Sequence, residues 1–349
     1  MRLLLLYLAA FYLQVNPIII QIDASKEDNL NLSQISENII PIPLALEALK
    51  ERAIENVFII NGNIFILQRY QENGDHYSDV FMFDFFGNYI RRLNLKNTKK
   101  DPDPNILGMY FNDADETIML IYSSGYGIFN KTGNLLNYRN QSWIDNTKLI
   151  LYKNLTYYNG ELWYQGILRS DNNMSIRLIN ADISFRSKNA ILYDKPIPPE
   201  SDGFIPELDF STYNNELYFF SQLDNTIYKI EQDAINPKYI IDIKGLKSPI
   251  VRLNTFFFDR YIRCNYLNSG SEYEIIFDLI SKSSFNIKYQ RDQKGFYTSG
   301  IRDDINNTGY LKIFPTNLNE YAYFIKNHEE IKENVTNKGE VFLYLIKLN

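Results

Sequence analysis

Polar turns and apolar runs alternate along the chain at a regular interval. Six segments share one form, a short polar stretch followed by an apolar run: "NGNIFILQ" from Asn61, "DETIMLIYS" from Asp115, "NGELWYQG" from Asn159, "NNELYFFS" from Asn214, "DRYIRCNY" from Asp259 and "NEYAYFIK" from Asn319. Their starts are 54, 44, 55, 45 and 60 residues apart. Each is preceded by another apolar run, as in "ENVFII" before Asn61, so each repeat predicts a β-hairpin.

Further strands follow each hairpin. A third apolar run, such as "DVFMFDF" from Asp79 or "VFLYLIK" from Val341, is present in all six repeats, and the first five repeats add a fourth, such as "KYIIDIK" from Lys238. Four strands in about fifty residues are typical of a propeller blade. The pattern predicts an all-β, six-bladed β-propeller of four-stranded antiparallel blades, with blades at about 55–95, 105–140, 148–193, 204–244, 252–290 and 305–349.

The sixth repeat lacks a fourth strand, since only Leu348 and Asn349 follow its third. We expect the N-terminal segment "NIIPIPL", residues 38–44, to supply it by pairing with "VFLYLIK" and closing the ring. Pro41 and Pro43 lack N–H donors on the same edge of such a strand, which suits an outermost position only. The predicted propeller domain therefore spans residues 38–349.

The segment before this closing strand favours export. Arg2 precedes an uninterrupted apolar stretch from Leu3 to Leu13, which has the length of a secretory signal core but is short for a membrane span. Residues 1–24 are interpreted as a signal peptide or, alternatively, an uncleaved anchor running to Ile22, and residues 25–37 as a linker. The stretch "ALEALKERAIEN", residues 45–56, is expected to be a short helix or a loop.

Composition narrows the classes of function. The chain has 349 residues, of which 45% are hydrophobic and 15% aromatic, so disorder is disfavoured. A net charge of −6 gives no general attraction to nucleic acid or to anionic membranes. One cysteine, Cys264, and two histidines, His76 and His328, are too few for zinc-finger, iron–sulfur or disulfide frameworks. Cys264 is interpreted as a buried, inert thiol.

Four segments resemble a known group, the six-bladed β-propeller proteins abundant in the envelopes of Bacteroidetes, which are distantly similar to NHL-type propellers. They are "IIPIPL" from Ile39, "FMFDFFGNYIRRL" from Phe81, "LDNTIYKI" from Leu223 and "GIRDDINNTGYLKIFP" from Gly300. This chain differs from the group's pattern in having "NNTG" where paired glycines often follow the two aspartates, and in lacking a lipoprotein cysteine. The resemblance implies a protein of the periplasm or cell envelope of a Gram-negative bacterium with no established reaction.

In a propeller, the loops between second and third strands and the loops between blades emerge on one face, here called the loop face, where ligand sites usually lie. Asp303 and Asp304 precede the innermost strand of blade six and are expected near the channel mouth. Adjacent residues of an extended chain point to opposite sides, which disfavours a shared acid–base pair. We expect one carboxylate to accept backbone N–H groups in a turn and the other to face the channel.

Other candidate residues lie on the same face. His76 and His328 fall in loops of neighbouring blades and, with Asp303, could form a two-histidine, one-carboxylate metal site, but solvated histidines are the simpler interpretation. A calcium ion held by Asp and Asn oxygens in the channel is an alternative. Asp224 is expected to fix a turn, and Trp143 is the best exposed candidate for stacking on a sugar. No metal site and no catalytic residue is assigned.

The favoured hypothesis is a non-enzymatic binding or interaction module for a peptide, glycan or protein partner in the envelope. Its basis is a polar set of loops without a convergent cluster of titratable groups. The alternative is a metal-dependent hydrolase or lyase, similar to lactonases or sialidases, that uses channel carboxylates. Membrane contact is expected only through an uncleaved N-terminal segment.

Overall fold

The computed structural model consists almost entirely of β-strands. It describes residues 16–44, 49, 53–72, 75–93, 106–112, 115–122, 125–140, 149–170, 173–182, 193–199, 205–231, 234–246, 255–291, 297–298, 301–305, 309–311, 313–318, 321–327 and 341–348. The described residues include no helix with the length and apolar character needed to span a bilayer.

The N-terminal segment contains three strands and a short 3-10 helix. These are β1 Ile18–Asp23, β2 Leu30–Asn31, the helix Leu32–Gln34 and β3 Ser36–Leu44. We call residues 18–44 the N-terminal belt, because they run along the outer rim of three blades, as shown below.

Blades one to three follow, each a separate four-stranded antiparallel sheet. Blade one consists of β4 Ala53–Ile60, β5 Asn63–Glu72, β6 Asp75–Asp84 and β7 Tyr89–Leu93. Blade two consists of β8 Ile106–Asn112, β9 Thr117–Tyr122, β10 Gly125–Asn130 and β11 Leu135–Asn140. Blade three consists of β12 Leu149–Tyr158, β13 Glu161–Ser170, β14 Asn173–Ala181 and β15 Tyr193–Pro196.

Blades four to six complete the ring. Blade four consists of β16 Leu208–Tyr213, β17 Glu216–Ser221, β18 Thr226–Ile230 and β19 Ile235–Lys244, and blade five of β20 Thr255–Phe258, β21 Tyr261–Asn268, β22 Ser271–Asp278 and β23 Ser284–Lys288. Short strands follow, namely β24 Gln290–Arg291, β25 Tyr297–Thr298, β26 Ile301–Asp303 and β27 Gly309–Leu311. Blade six consists of β28 Phe314–Pro315, β29 Tyr321–Asn327, β30 Val341–Leu348 and the N-terminal β3.

Six blades of four strands confirm the fold predicted from the repeats. Closure by the N-terminal strand is also confirmed: β3 pairs antiparallel with β30, with Pro41 opposite Tyr344 and Pro43 opposite Phe342. Because β3 is the outermost strand of its sheet, its two prolines cost no pairing with a further strand. Strand β3 of the N-terminal segment and strand β30 near the C-terminus are therefore held in one sheet.

The turns between first and second strands explain the polar residues that begin each repeat. Asn61 and Asn159 have φ of 50° and 49°, and each is followed by a glycine, Gly62 and Gly160, at 75° and 77°. A two-residue hairpin turn that matches the twist of its strands needs positive φ at both central residues. Asn followed by Gly adopts this conformation with the least strain. The sequence signal and the backbone geometry therefore have the same cause.

The apolar core is divided among the seams between blades. The described residues form six buried clusters, each joining neighbouring blades, such as Phe65 and Leu67 of blade one with Ile118 and Leu120 of blade two. The middle strands of the blades, such as β9 and β17, are covered on both faces by neighbouring blades and are therefore apolar almost continuously rather than in strict alternation. This is why the repeats are rich in runs of Ile, Phe and Tyr. Outer strands such as β7 and β11 are largely exposed.

The N-terminal belt differs from the sequence prediction. β1 lies within the range assigned to a leader, yet it pairs in parallel with β19 as a fifth strand of blade four and buries Ile20 and Ile22. β2 and the 3-10 helix lie within the predicted linker and pack at the seam of blades five and six. The position at which a leader ends therefore stays a prediction.

The prediction of a helix or loop over residues 45–56 is wrong for the last four residues. Residues 53–56 belong to β4, because their pairing with β5 extends the innermost hairpin of blade one. Of the remainder, only Leu49 lies within the described residues, where it is buried against blades six and one.

Candidate functional site

The central channel of the ring contains a cavity of about 630 Å³. Its lining comes from the innermost strands of five blades, namely β4, β8, β12, β16 and β20, and from Thr316 and Asn317, which follow β28 of the sixth. Asn159 and Asn215, in turns that follow two of these strands, complete the lining. The cavity therefore lies on the axis of the propeller, where all six blades contribute residues.

The lining of this cavity is polar and aromatic. It includes six amide side chains, those of Asn56, Asn112, Asn154, Asn159, Asn215 and Asn317. Hydroxyl groups and the rings of Phe and Tyr lie between them, and Asp209 is the one charged side chain among the described lining residues. A pocket that combines rings with a few directed polar groups is typical of a site for a small polar ligand.

The cavity extends towards the face opposite to the predicted one. Asn159 and Asn215 lie in the turns that join first to second strands, and these turns emerge on the side away from the loop face. We call this side the turn face. Much of the loop face, including residues 94–105, 141–148, 292–296 and 328–340, lies outside the described residues, so the prediction of a site there stays a prediction.

Side chains join the innermost strands of neighbouring blades across the channel wall. The inner edge of an innermost strand has no neighbouring strand, so its backbone groups need other partners. The amide of Asn317 accepts a hydrogen bond from the Ile59 N–H at 2.6 Å and donates to the Ile59 carbonyl at 2.9 Å. The hydroxyl of Ser211 accepts from the Phe257 N–H at 3.0 Å. Short neutral polar residues therefore have a structural reason to line the channel.

Asp209 has the position of such a bridge but makes a weak one. The Thr255 N–H donates to Asp209 Oδ2 at 3.4 Å, close to the limit for a hydrogen bond. Burial, followed by the negative charge of Glu207, raises the pKa of Asp209 to about 8. Asp209 also contributes to the raised pKa of the buried thiol of Cys264, whose main cause is burial. The carboxyl thus lies in an environment that disfavours its charged form.

Sequence reasoning did not single out Asp209. It occurs in "LDFSTY", where a single acid within a strand gives no motif. A usable signal was present, because the innermost strand of each repeat faces the channel and Asp209 is an acid within one, at its second position. The prediction instead focused on the adjacent pair at 303 and 304, which is more conspicuous as a pattern.

The structure places Asp303 and Asp304 away from the channel lining, at the rim where blades five and six meet. Asp304 accepts hydrogen bonds from the N–H of Ser33 at 3.0 Å and from its hydroxyl at 2.5 Å. Asp303 is fully buried in β26 next to the N-terminal belt. The expectation that they lie at the channel mouth is corrected, because β26 pairs with β2 of the belt. Asp304, the second acid of "DDINNTG", therefore secures the belt to the ring.

Asp224 also has a structural position. It accepts a hydrogen bond from the Tyr228 hydroxyl at 2.7 Å and forms an ion pair with Lys195 of β15. The Lys195 ammonium lies 5.2 Å and 5.5 Å from the ring centres of Tyr193 and Tyr228. This cluster joins the outer strand β15 of blade three to the third strand β18 of blade four and the turn before it, outside the channel.

The remaining predicted residues cannot be placed. Trp143 and His328 lie outside the described residues, and so does the side chain of His76, although its backbone pairs with Gln71. The described residues contain no group of three or more His, Cys, Asp or Glu side chains that could hold a metal ion. Calcium in the channel stays a prediction, and the described lining offers it one carboxylate together with amide and hydroxyl oxygens.

The aspartate of the motif "FMFDFFGNYIRRL" has a purely local role. Asp84 accepts hydrogen bonds from the N–H groups of Phe86 and Asn88, both at 2.9 Å, and so fixes the turn between third and fourth strands. Gly87 in this turn has φ of 86°, and a Cβ there would lie 1.9 Å from the carbonyl oxygen of Pro43 in β3. Two segments that carried the resemblance therefore meet where the ring closes.

Comparison with known proteins supports the architecture. No family model matches the chain, and no curated protein matches it. Among solved structures, a protein from Bacteroides fragilis, proposed to be exported, has a TM-score of 0.61 and 12% identity over 94% of this chain and 99% of its own. A DUF4221 family member from Bacteroides vulgatus has a TM-score of 0.54 and 12% identity over 93% of this chain and 99% of its own.

At this level of identity the similarity shows the fold alone. The resemblance inferred from the four segments is confirmed in that sense, since both structures match almost end to end. The chain is a six-bladed β-propeller with the architecture of these Bacteroides proteins.

Proposed function

We propose that this protein is an exported, non-enzymatic propeller that binds a polar ligand, of which a glycan is the best match, in its central channel. The observation that supports it is the composition of the cavity lining, with six amide side chains, several hydroxyls and aromatic rings in about 630 Å³. Amides and hydroxyls can donate to and accept from sugar hydroxyls, and aromatic rings can stack on sugar faces.

Export is supported by the apolar stretch from Leu3 to Leu13 and by the description of one structural neighbour as exported. A periplasmic or cell-envelope location in a Gram-negative bacterium belongs to the same proposal. An envelope protein would meet glycans and peptides as its most abundant polar polymers, and the channel chemistry favours the glycan.

The enzymatic alternative has one observation in its favour, the raised pKa of Asp209 next to Glu207. A hydrolase of the two-carboxylate type needs two carboxyl groups facing one cavity. Among the described lining residues Asp209 alone supplies one. Binding without turnover therefore explains more of the channel than catalysis does.

A glycan-binding assay with a channel-filling variant tests the proposal. Thr212 is half-buried in the lining, and a Thr212→Trp side chain would occupy much of the cavity. We expect purified protein to retain envelope-type oligosaccharides on an array and Thr212→Trp to lose them by at least about tenfold, as expected when a pocket is blocked. An Ile90→Trp variant, on the exposed outer strand β7, is the matched control and should bind as the parent does.

Retention that is unchanged in Thr212→Trp would place the ligand elsewhere and overturn the channel site. Release of shortened or unsaturated sugars from the array, detected by mass spectrometry and abolished by Asp209→Asn, would overturn the non-enzymatic assignment in favour of the hydrolase or lyase.

A further inference from the structure

We propose that the glycan bound in the channel carries a free primary amine, as in an amino sugar, and that Asp209 accepts the ammonium group. This inference rests on the proposed channel function and specifies its ligand class. It depends on what distinguishes Asp209 from the other polar groups of the channel wall.

The first argument is that a carboxylate is not needed for the bridge that Asp209 makes. At the neighbouring bridges, neutral oxygens of Ser211 and Asn317 accept backbone N–H groups at 3.0 Å and 2.6 Å. Asp209 accepts the Thr255 N–H at 3.4 Å, the longest of the three contacts. A structural role therefore accounts for little of this side chain.

The second argument concerns charge. An acid enclosed by protein is unfavourable unless a cation or several hydrogen-bond donors accompany it. The groups around Asp209 are the Thr255 N–H of β20, the buried Cys264 thiol of β21 and Glu207, which immediately precedes β16 and is also acidic. The described lining contains no lysine, arginine or histidine. The missing cation can therefore be supplied by the ligand.

An ammonium group satisfies this environment better than a neutral hydroxyl. Its N–H donors form charge-assisted hydrogen bonds, which are about twice as strong as neutral ones. Because the lining holds a single carboxyl group among many neutral polar groups, the fitting ligand has one amine set among hydroxyls rather than many positive charges. A de-N-acetylated sugar unit within a glycan has this composition.

The experiment compares matched glycans that differ only at nitrogen. Glucosamine oligomers, their N-acetylated counterparts and neutral glucose oligomers of equal length are titrated calorimetrically into the parent protein and into Asp209→Asn. We expect the amine form to bind at least about tenfold more tightly than the acetylated and neutral forms, and Asp209→Asn to remove this difference. Asp194→Asn, which alters an acid on the outer strand β15, is the control and should keep the preference.

The outcomes separate the two proposals. Equal binding of all three oligomers overturns the amine inference and leaves the channel glycan site standing. An amine preference that persists in Asp209→Asn also overturns the inference, because Asp209 would not be the group that accepts the ammonium. Failure of every oligomer to bind overturns the channel proposal and the inference with it. If a lysine-rich peptide binds and none of the oligosaccharides does, the ammonium group belongs to a protein partner, and the proposal of a glycan ligand is overturned. If Asp209→Asn does not fold, Asp209→Glu keeps the charge and should keep a preference of the same sign.

Discussion

Two acids on the same chain, Asp304 at the rim and Asp209 in the channel, show how differently carboxylates can be used. Asp304 receives two hydrogen bonds from Ser33, and these bonds lower its pKa. Asp209 receives one long hydrogen bond, and burial raises its pKa to about 8. The first acid has its donors built into the fold, whereas the second does not. An acid that the fold leaves poorly satisfied is therefore the better candidate for contact with a ligand.

The same contrast separates the seams from the channel as a whole. At the seam of blades five and six, Arg263 and Glu274 are buried and form an ion pair, and Arg263 also donates to the Ile313 carbonyl at the start of blade six. In the channel, Asn154 Nδ2 is buried without a hydrogen-bond partner among the described residues. The ion pair of this seam holds two blades together, whereas the amide nitrogen of Asn154 in the channel remains available to a ligand.

Of the variants considered, Arg263→Ala is expected to lower the stability of the protein most, because it breaks the buried ion pair at the seam of blades five and six. The side chains of Arg263 and Glu274 are 2% and 0% exposed, so the variant leaves a buried carboxylate without its cation. We expect a loss of about 3–5 kcal/mol in the free energy of unfolding, measured by urea denaturation. The double variant Arg263→Met with Glu274→Leu should recover much of that loss, because no buried charge is left unpaired. A loss below about 1 kcal/mol in Arg263→Ala would mean that the pair does not hold this seam.

The second test removes β1 from the N-terminal belt. A chain that begins at Ser25 is compared with one that begins at Asn16, since only the latter keeps Ile20 and Ile22, which are 1% and 3% exposed. Burial of each isoleucine contributes about 1.5–3 kcal/mol, less the entropy of ordering the strand. We therefore expect the shorter chain to be about 2 kcal/mol less stable. The control is deletion of the unpaired residues 16–17, which should change stability little.

This test also concerns the leader predicted at residues 1–24. If the protein is exported and keeps β1, N-terminal sequencing of the mature form should find its first residue at or before Ile18. A mature form beginning at Ser25 with the stability of the longer chain would show that β1 contributes nothing to blade four.

The fold could be predicted from the sequence because its signals are local and repeated. The Asn-Gly turns at 61–62 and 159–160 determine backbone geometry within two residues, and the paired prolines of β3 indicate an outer edge without reference to the rest of the chain. Six copies of such signals reinforce one another. Closure of the ring could be predicted because the sixth repeat has only three strands and the segment at residues 38–44 offers a fourth.

The candidate site could not be predicted in the same way. The partners of Asp209 and Asp304 lie 46 and 271 residues away in the sequence, and no local pattern specifies such contacts. The adjacent acids at 303 and 304 therefore gave a conspicuous but misleading signal, while the isolated acid in "LDFSTY" gave none. The role of an acid depends on which donors the fold brings to it.

The third test measures how stability depends on pH, because the raised pKa of Asp209 reflects a carboxyl group with few hydrogen-bond donors. In the folded protein this carboxyl keeps its proton up to about pH 8, whereas the unfolded chain loses it near the ordinary value of 3.8. Between these values the folded state binds more protons, so stability falls as pH rises. Asp209 is half-buried and lines the cavity, so solvent screening reduces its contribution, and we expect the loss attributable to Asp209 to be about 1–2 kcal/mol between pH 5 and pH 8.

Asp209→Asn should abolish this part of the pH dependence. The variant should match the parent at pH 4 and exceed its stability at pH 8 in thermal unfolding. Glu207→Gln is the informative control, because removing the second contributor to the raised pKa should reduce the slope without abolishing it. Parallel stability profiles for the parent and Asp209→Asn would show that the channel carboxyl is already well satisfied.

The smallest effect is expected from Asp304→Asn, and it should have the opposite dependence on pH. The hydrogen bonds from Ser33 hold the pKa of Asp304 below 3.8, so its contribution to stability is present above that pH and is lost as pH falls through the folded-state value. Asp304→Asn should therefore be slightly less stable than the parent at pH 7 and indistinguishable from it near pH 2. Ser33→Ala should reproduce this profile, because it removes the hydroxyl donor to the same carboxylate. Neither variant should change glycan binding, since Asp304 and Ser33 lie at the rim. A binding defect in Asp304→Asn as large as that of Asp209→Asn would erase the distinction between the two acids and restore Asp304 as a site residue.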